Sequence, residues 1–194
     1  MAERKTRPET MGETDVIDLL LAQHALIRDL FDEVERASPG GRGEAFTRLV
    51  RLLAVHEAAE EEIVHPYARR KIDGGDGVVD DRLVEERQAK ELLMQMDQAG
   101  PQAPDFRENL LALRAAVESH ARNEERYEFA QLREQTSPAE RRSLSTGVKA
   151  AEAVAPTHPH PGVESAVENL LLGTPLAIMD RTRDVIRQVM GKSH

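Results

Sequence analysis

Histidine and glutamate four residues apart on a helix share a face, one turn up, and can offer an imidazole nitrogen and a carboxylate oxygen to one metal centre. The chain of 194 residues carries this spacing twice, at His56 with Glu60 and at His120 with Glu124. Seven histidines in so glutamate-rich a sequence give roughly one such match by chance. The spacing therefore has force only if both pairs face a core.

Abundant Leu, Ala, Glu, Arg and Gln, with few β-branched or aromatic runs, favour helix throughout. A first helix is expected from about Asp15 to Ala37, capped by Thr14 or Asp15 and closed by Ser38-Pro39-Gly40-Gly41. Its apolar stripe is Ile17, Leu20, Ile27, Phe31 and Val34, and His24 falls on it. A second helix from about Glu44 repeats Phe46, Leu49, Leu53, His56, Glu60, Ile63 and Tyr67 at steps of three and four. Pro66 predicts a kink or an end there, and Lys71 to Asp80, with three glycines, a loop. A third helix, about Asp81 to Ala99, turns Glu86, Ala89, Leu93 and Met96 inward. The fourth, about Asp105 to Gln135, opens on a capping-box pattern of Asp105 with Glu108 and aligns Leu110, Leu113, Val117, His120, Glu124 and Tyr127. Both His-Glu pairs thus lie on core stripes.

Short connections make sequential helices antiparallel neighbours, so the expected fold is all-α, an up-down-up-down four-helix bundle over residues 14–136. A polar tail, 1–13, precedes it, and a helical extension, 137–194, follows. That extension starts at Ser137-Pro138, crosses a Pro- and His-containing connector from Ala155 to Gly162, and breaks again at Gly173-Thr174-Pro175. His24 lies about thirteen residues from the end of its helix and His56 about twelve from the start of the next, so at 1.5 Å per residue their heights agree. The same arithmetic brings Glu86 level with Glu60 and His120. One layer can then hold His24, His56, Glu60, Glu86, His120 and Glu124. A single buried histidine is ordinarily a hydrogen-bonded core residue. Three carboxylates buried together are different, because each costs several kcal/mol without compensating positive charge. Three imidazoles with three carboxylates exceed a tetrahedral zinc site and suit a pair of octahedral iron or manganese ions. A single metal and a metal-free polar network remain the alternatives.

At this point the chain resembles the hemerythrin-like, or HHE-domain, family of non-haem diiron proteins. The resemblance rests on a lone His24 in the first helix, HEAAEE from His56 to Glu61 in the second, and HARNEE from His120 to Glu125 in the fourth. It implies that His24, His56, Glu60, His120 and Glu124 ligate two iron ions, with the glutamates bridging and an oxo bridge in the oxidised form. Helix 3 departs from the family pattern. Where many relatives read Glu-His-Gln-Glu-Val-Lys, this chain has Glu85-Glu86-Arg87-Gln88-Ala89-Lys90, which puts Glu86 at the histidine position. The helical frame agrees, since Arg87 is turned about 100° away. A carboxylate there favours the ferric state. Reaction with hydrogen peroxide or nitric oxide is then expected over reversible dioxygen storage, with catalase-like or nitric-oxide-reducing turnover as the candidate activity. An iron- or oxygen-responsive regulatory module and a metal-free interaction protein are the competing readings.

Composition bounds the rest. A formal charge of −9 and the lack of a Lys/Arg cluster with interleaved aromatics argue against nucleic acid. Without cysteine, any metal must be held by nitrogen and oxygen. No run of eighteen apolar residues occurs and the N-terminal stretch is polar, so no membrane span or signal peptide is expected, and a cytoplasmic location follows by default. Leu170, Leu171, Leu172, Ile178, Val185 and Ile186 predict that the extension packs on the bundle, a partner protein or a second copy. Tyr67 and Tyr127 read better as core packing than as phenolate ligands, His65 beside Pro66 as a surface or helix-end residue, and His158 and His160 as part of a connector. The Glu-x-x-His pattern of ferritin-like sites is missing from the relevant positions.

Overall fold

The computed structural model describes residues 15–154 and 174–191, and every regular element among them is helical. Helix α1, Val16–Arg36, begins where the Asp15 carboxylate accepts the amides of Ile17 (3.0 Å) and Asp18 (3.2 Å). After a short turn α2 runs Arg42–Ala59, then widens into a π-helical turn, Glu60–Val64, and continues as α3, His65–Lys71. Helix α4, Gly75–Ala99, returns antiparallel to it. Helix α5, Phe106–Asn123, repeats the pattern of α2, with a π turn at Glu124–Phe129 leading into α6, Ala130–Gln135. Two more helices follow, α7 at Pro138–Val154 and α8 at Pro175–Val189.

Pro66 does not end the second helix. It sits in the first turn of α3, directly after the π turn, where the amide of His65 bonds back to the Glu60 carbonyl. That wider loop of backbone accommodates a residue with no amide hydrogen. The loop expected from Lys71 to Asp80 is also shorter, because α4 begins at Gly75. Gly74 makes the reversal at φ 68°, a conformation that favours glycine. Gly75 then approaches α3 so closely that a Cβ would stand 2.6 Å from the Ala68 carbonyl oxygen. Asp105 makes no capping hydrogen bond to the backbone of α5; its carboxylate takes the Asn109 side-chain amide instead. At Ser137 the capping box forms, with Glu140 accepting the Ser137 amide at 2.9 Å.

Two apolar clusters lie on either side of one polar layer. Towards the α2–α5 ends Ile27, Phe31, Leu49, Leu53, Leu93, Met96, Leu110 and Leu113 pack together. Towards the π turns the cluster is Ile17, Leu20, Ala58, Ile63, Phe129 and Leu132, joined by Val148 and Ala151 of α7 and Ile178 and Ile186 of α8. Burying side chains of this size stabilises by about 1.5–3 kcal/mol each. Helix α7 comes close to the first π turn at Gly147, where a Cβ would meet the Ile63 Cδ1 at 2.5 Å. No described helix is long and apolar enough to cross a membrane. His158, His160 and residues 164–173 fall outside the described residues.

Candidate metal centre

Between the two clusters the structure brings together all six residues expected there. His24, His56, Glu60, Glu86, His120 and Glu124 are each at most 3 % exposed. Three imidazoles are held from behind through Nδ1. His24 donates to Glu125 Oε1 (2.9 Å), His120 to Glu85 Oε2 (3.2 Å), and the Nδ1 of His56 meets Gln23 Oε1 (2.7 Å). A carboxylate has no proton to give, so Nδ1 of His24 and of His120 carries a hydrogen, and Nε2 is the atom turned inward. Those Nε2 atoms lie 3.3 Å (His24) and 3.4 Å (His120) from Glu124 Oε2, and the His56 Nε2 lies 3.3 Å from Glu60 Oε2. None of the three, and none of the four carboxylate oxygens of Glu60 and Glu124, has a hydrogen-bond partner among the described residues. Buried polar atoms left in this way are costly unless a cation takes them up.

The layer also contains residues that the helical frame left out. His65 is buried, not at the surface as expected; its Nε2 lies 2.6 Å from Glu86 and its Nδ1 3.0 Å from Glu128, a residue fully buried. Tyr127, expected on the inward stripe, is instead 46 % exposed. Both departures have one cause. Each π turn opens on the motif glutamate and adds a residue to the turn, which rotates everything after it by about 100°. His65 and Glu128 swing in, and Tyr127 swings out. A signal for Glu128 was present, since His120, Glu124 and Glu128 step by four. For His65 the signal was Pro66 within a helix that carries on.

Glu60 and Glu124 belong to two groupings. The donor atoms of His24, His56, Glu60 and Glu124 all lie within 4.8 Å of one another, as do those of Glu60, His65 and Glu86, and those of His65, Glu124 and Glu128. The layer therefore has a histidine-rich half and a carboxylate-rich half that share two glutamates. Lys90 closes the latter, with Nζ 3.2 Å from Glu86 and 3.6 Å from Glu57, and also pairs with Glu61.

Electrostatics show how acidic the layer is. Burial, and then the charge of Glu124, push the Glu60 carboxyl well above its usual range. Burial and Glu86 push Glu57 up to about 8. Burial alone would lower His65, but its hydrogen bonds to Glu128 and Glu86 raise it well above the usual value. Against the same burial, the Glu124 charge and the Glu85 bond raise His120 to about 9. His56, buried and beside His24, is lowered. The metal-free layer thus stores protons that cations would displace. Nitrogen and oxygen donors without sulfur, several of them carboxylates, suit iron or manganese.

The family model of the hemerythrin HHE cation binding domain matches residues 15–132. The chain belongs to this family. As an HHE-domain protein it carries a cation-binding module within a helical bundle. Its fold matches the crystal structure of a hemerythrin HHE cation binding domain-containing protein from Mycobacterium kansasii, at a TM-score of 0.67 and 17 % identity. That match covers 87 % of this chain and 99 % of the other, more than residues 15–132, and so takes in helices beyond the HHE segment. A protein named DNA nickase, from Nostoc sp. (strain PCC 7120 / SAG 25.82 / UTEX 2576), is 29 % identical over 148 residues, which are 76 % of this chain and 42 % of that relative. The HHE-domain chain thus spans less than half of that relative's length.

Proposed function

We propose that this HHE-domain protein holds two iron ions and reacts with a small uncharged oxidant, hydrogen peroxide or nitric oxide, in the cytoplasm. The observation that carries this reading is the set of seven inward-facing donor atoms on His24, His56, His120, Glu60 and Glu124 without hydrogen-bond partners among the described residues. With His65, Glu86 and Glu128 these would give donors for two positions, with Glu60 and Glu124 common to both sets. When bound, the irons would supply the electrons that reduce the oxidant.

The protein's own groups would admit the oxidant and handle protons. A cavity of about 10 Å³, room for about one water-sized molecule, is bordered by His24, His56, Glu57, Val117 and His120. Glu57 and Val117 also line a larger cavity of about 40 Å³, walled by Leu53, Ala89, Leu93, Leu113 and Met179. Apolar walls favour an uncharged entrant. Glu57, its carboxyl pushed up to about 8, holds a proton at neutral pH beside the histidine-rich half. Purified protein should contain two irons per chain, show the near-ultraviolet absorption of an oxidised iron pair and, once a chemical reductant has returned the pair to the ferrous state, consume about one peroxide or two nitric oxide molecules per pair, a reaction that His56→Ala abolishes. Protein from iron-replete cells that carries no iron would sink the proposal.

A second reading, an iron-responsive module, draws on one observation. Arg183 of α8 pairs with Glu61, and Arg187 Nε donates to Glu62 Oε2 at 3.1 Å; both glutamates sit in the π turn next to Glu60. If iron occupancy governs docking of α8, amide exchange over residues 175–189 should be faster in iron-free protein. Equal exchange in the two forms counts against it.

A further inference from the structure

The hydrogen-bond support of the histidine-rich half does not end within the HHE segment. Two of its imidazoles lean on carboxylates, Glu125 and Glu85, whose acceptor character settles where the ring hydrogen lies. His56 leans on the side-chain amide of Gln23, which has a carbonyl at one end and an NH2 at the other. Either end could face the ring, and the choice decides whether His56 Nδ1 must donate or accept. Gln23 is 4 % exposed and cannot take its direction from solvent. Its other end donates to Glu152 Oε1 at 2.7 Å, and Glu152 lies on α7, beyond residue 132.

We infer that Glu152 is a positioning residue for the metal centre, setting the orientation of Gln23 and through it the tautomer of His56. The Glu152 carboxylate only accepts, so the Gln23 NH2 must point at it and the Gln23 carbonyl must point at His56. The imidazole then keeps its hydrogen on Nδ1, and Nε2, 3.3 Å from Glu60 Oε2, presents its lone pair to the shared centre. With the amide reversed, the hydrogen would move to Nε2 and His56 could not act as a ligand there. Helix α7 is seated to hold this contact, since Val148 and Ala151 are fully buried in the cluster next to the layer.

This inference rests on the two-iron reading, and its test separates the two. Ferrous iron is titrated into the full-length metal-free protein against a competing chelator, with the spectrum of the oxidised product recorded. Failure of the wild type to bind iron defeats the two-iron reading itself. If the wild type binds, Glu152→Gln should weaken uptake about tenfold or more, the usual effect of removing a partner behind a ligand, and should alter the spectrum. The double variant Gln23→Glu/Glu152→Gln should restore both, because the carboxylate now at position 23 accepts from the ring and from the new amide. A role in packing alone predicts no such rescue. Melting of the metal-free proteins checks that each variant folds. Wild-type affinity and spectrum in Glu152→Gln, or a double variant no better than the single one, overturns the inference.

Discussion

The two halves of the polar layer are made from different parts of the chain's logic. In the histidine-rich half, three imidazoles arrive on regular helix, each backed by a hydrogen bond at Nδ1 and open at Nε2. In the carboxylate-rich half, His65 has both nitrogens engaged, by Glu86 and Glu128, and arrives only because the helix is widened into a π turn. The first half is poised to give up lone pairs. The second is held as an ion pair, with His65 and Lys90 standing where a cation would otherwise balance Glu86 and Glu128. A position of mostly oxygen donors is harder than one of three imidazoles, so the two metals would meet unequal chemistry.

The comparison can be broken at its shared members. Glu124→Ala removes a donor common to both halves and should abolish binding of both irons, read as metal content after purification; retention of both would show that the halves are not joined there. Separating the halves gives the next largest effect. His65→Ala should leave one iron per chain in the histidine-rich half, while His24→Ala should disable that half, and the two single-iron forms should differ in spectrum. Loss of both irons in His65→Ala would mean the halves fill only together.

Glu86→His makes the second half resemble the first. By exchanging a carboxylate for an imidazole it should raise the reduction potential on the order of 60 mV, a tenfold change in the ferric-to-ferrous balance; an unchanged potential counts against Glu86 as a ligand. The smallest effect is on stability. In the metal-free protein His120 is raised to about 9 from 6.5, and Glu57 to about 8 from 4.5. A raised folded-state pKa means that the folded chain holds protons the unfolded one has lost, so its contribution is present at low pH and disappears as pH rises through the folded value. Glu124, held low by His120 and His24 against its burial, gains or loses nothing in that range. The melting temperature of the metal-free protein should therefore fall between about pH 6 and 9, with metal reducing the fall because it replaces the protons. A flat or rising profile would contradict the stored-proton picture.

Much of this centre was legible along the chain because α1, α2, α4 and α5 are regular where they supply His24, His56, Glu86 and His120. A period of 3.6 then places side chains without knowledge of neighbours. Even the unusual Glu86 followed from its phase with Ala89, Leu93 and Met96. The reading failed where the period changed. Extending α-helical phase past Glu60 and Glu124 put His65 outside and Tyr127 inside, and both were reversed by one added residue per turn. The loop before α4 is shorter than expected because its glycines together signal a loop, whereas Gly75 lies in the helix and is needed for close approach to Ala68.

The order of the candidate donor residues, their nitrogen and oxygen character and the helices that carry six of them are properties of the sequence alone, since they depend on residue identity and local periodicity. The inward turn of His65, the division of the layer into two unlike halves and the reach of Glu152 from α7 to Gln23 were decided by tertiary structure. They depend on which hydrogen bonds and packed surfaces become available when distant segments meet, and no local spacing encodes that.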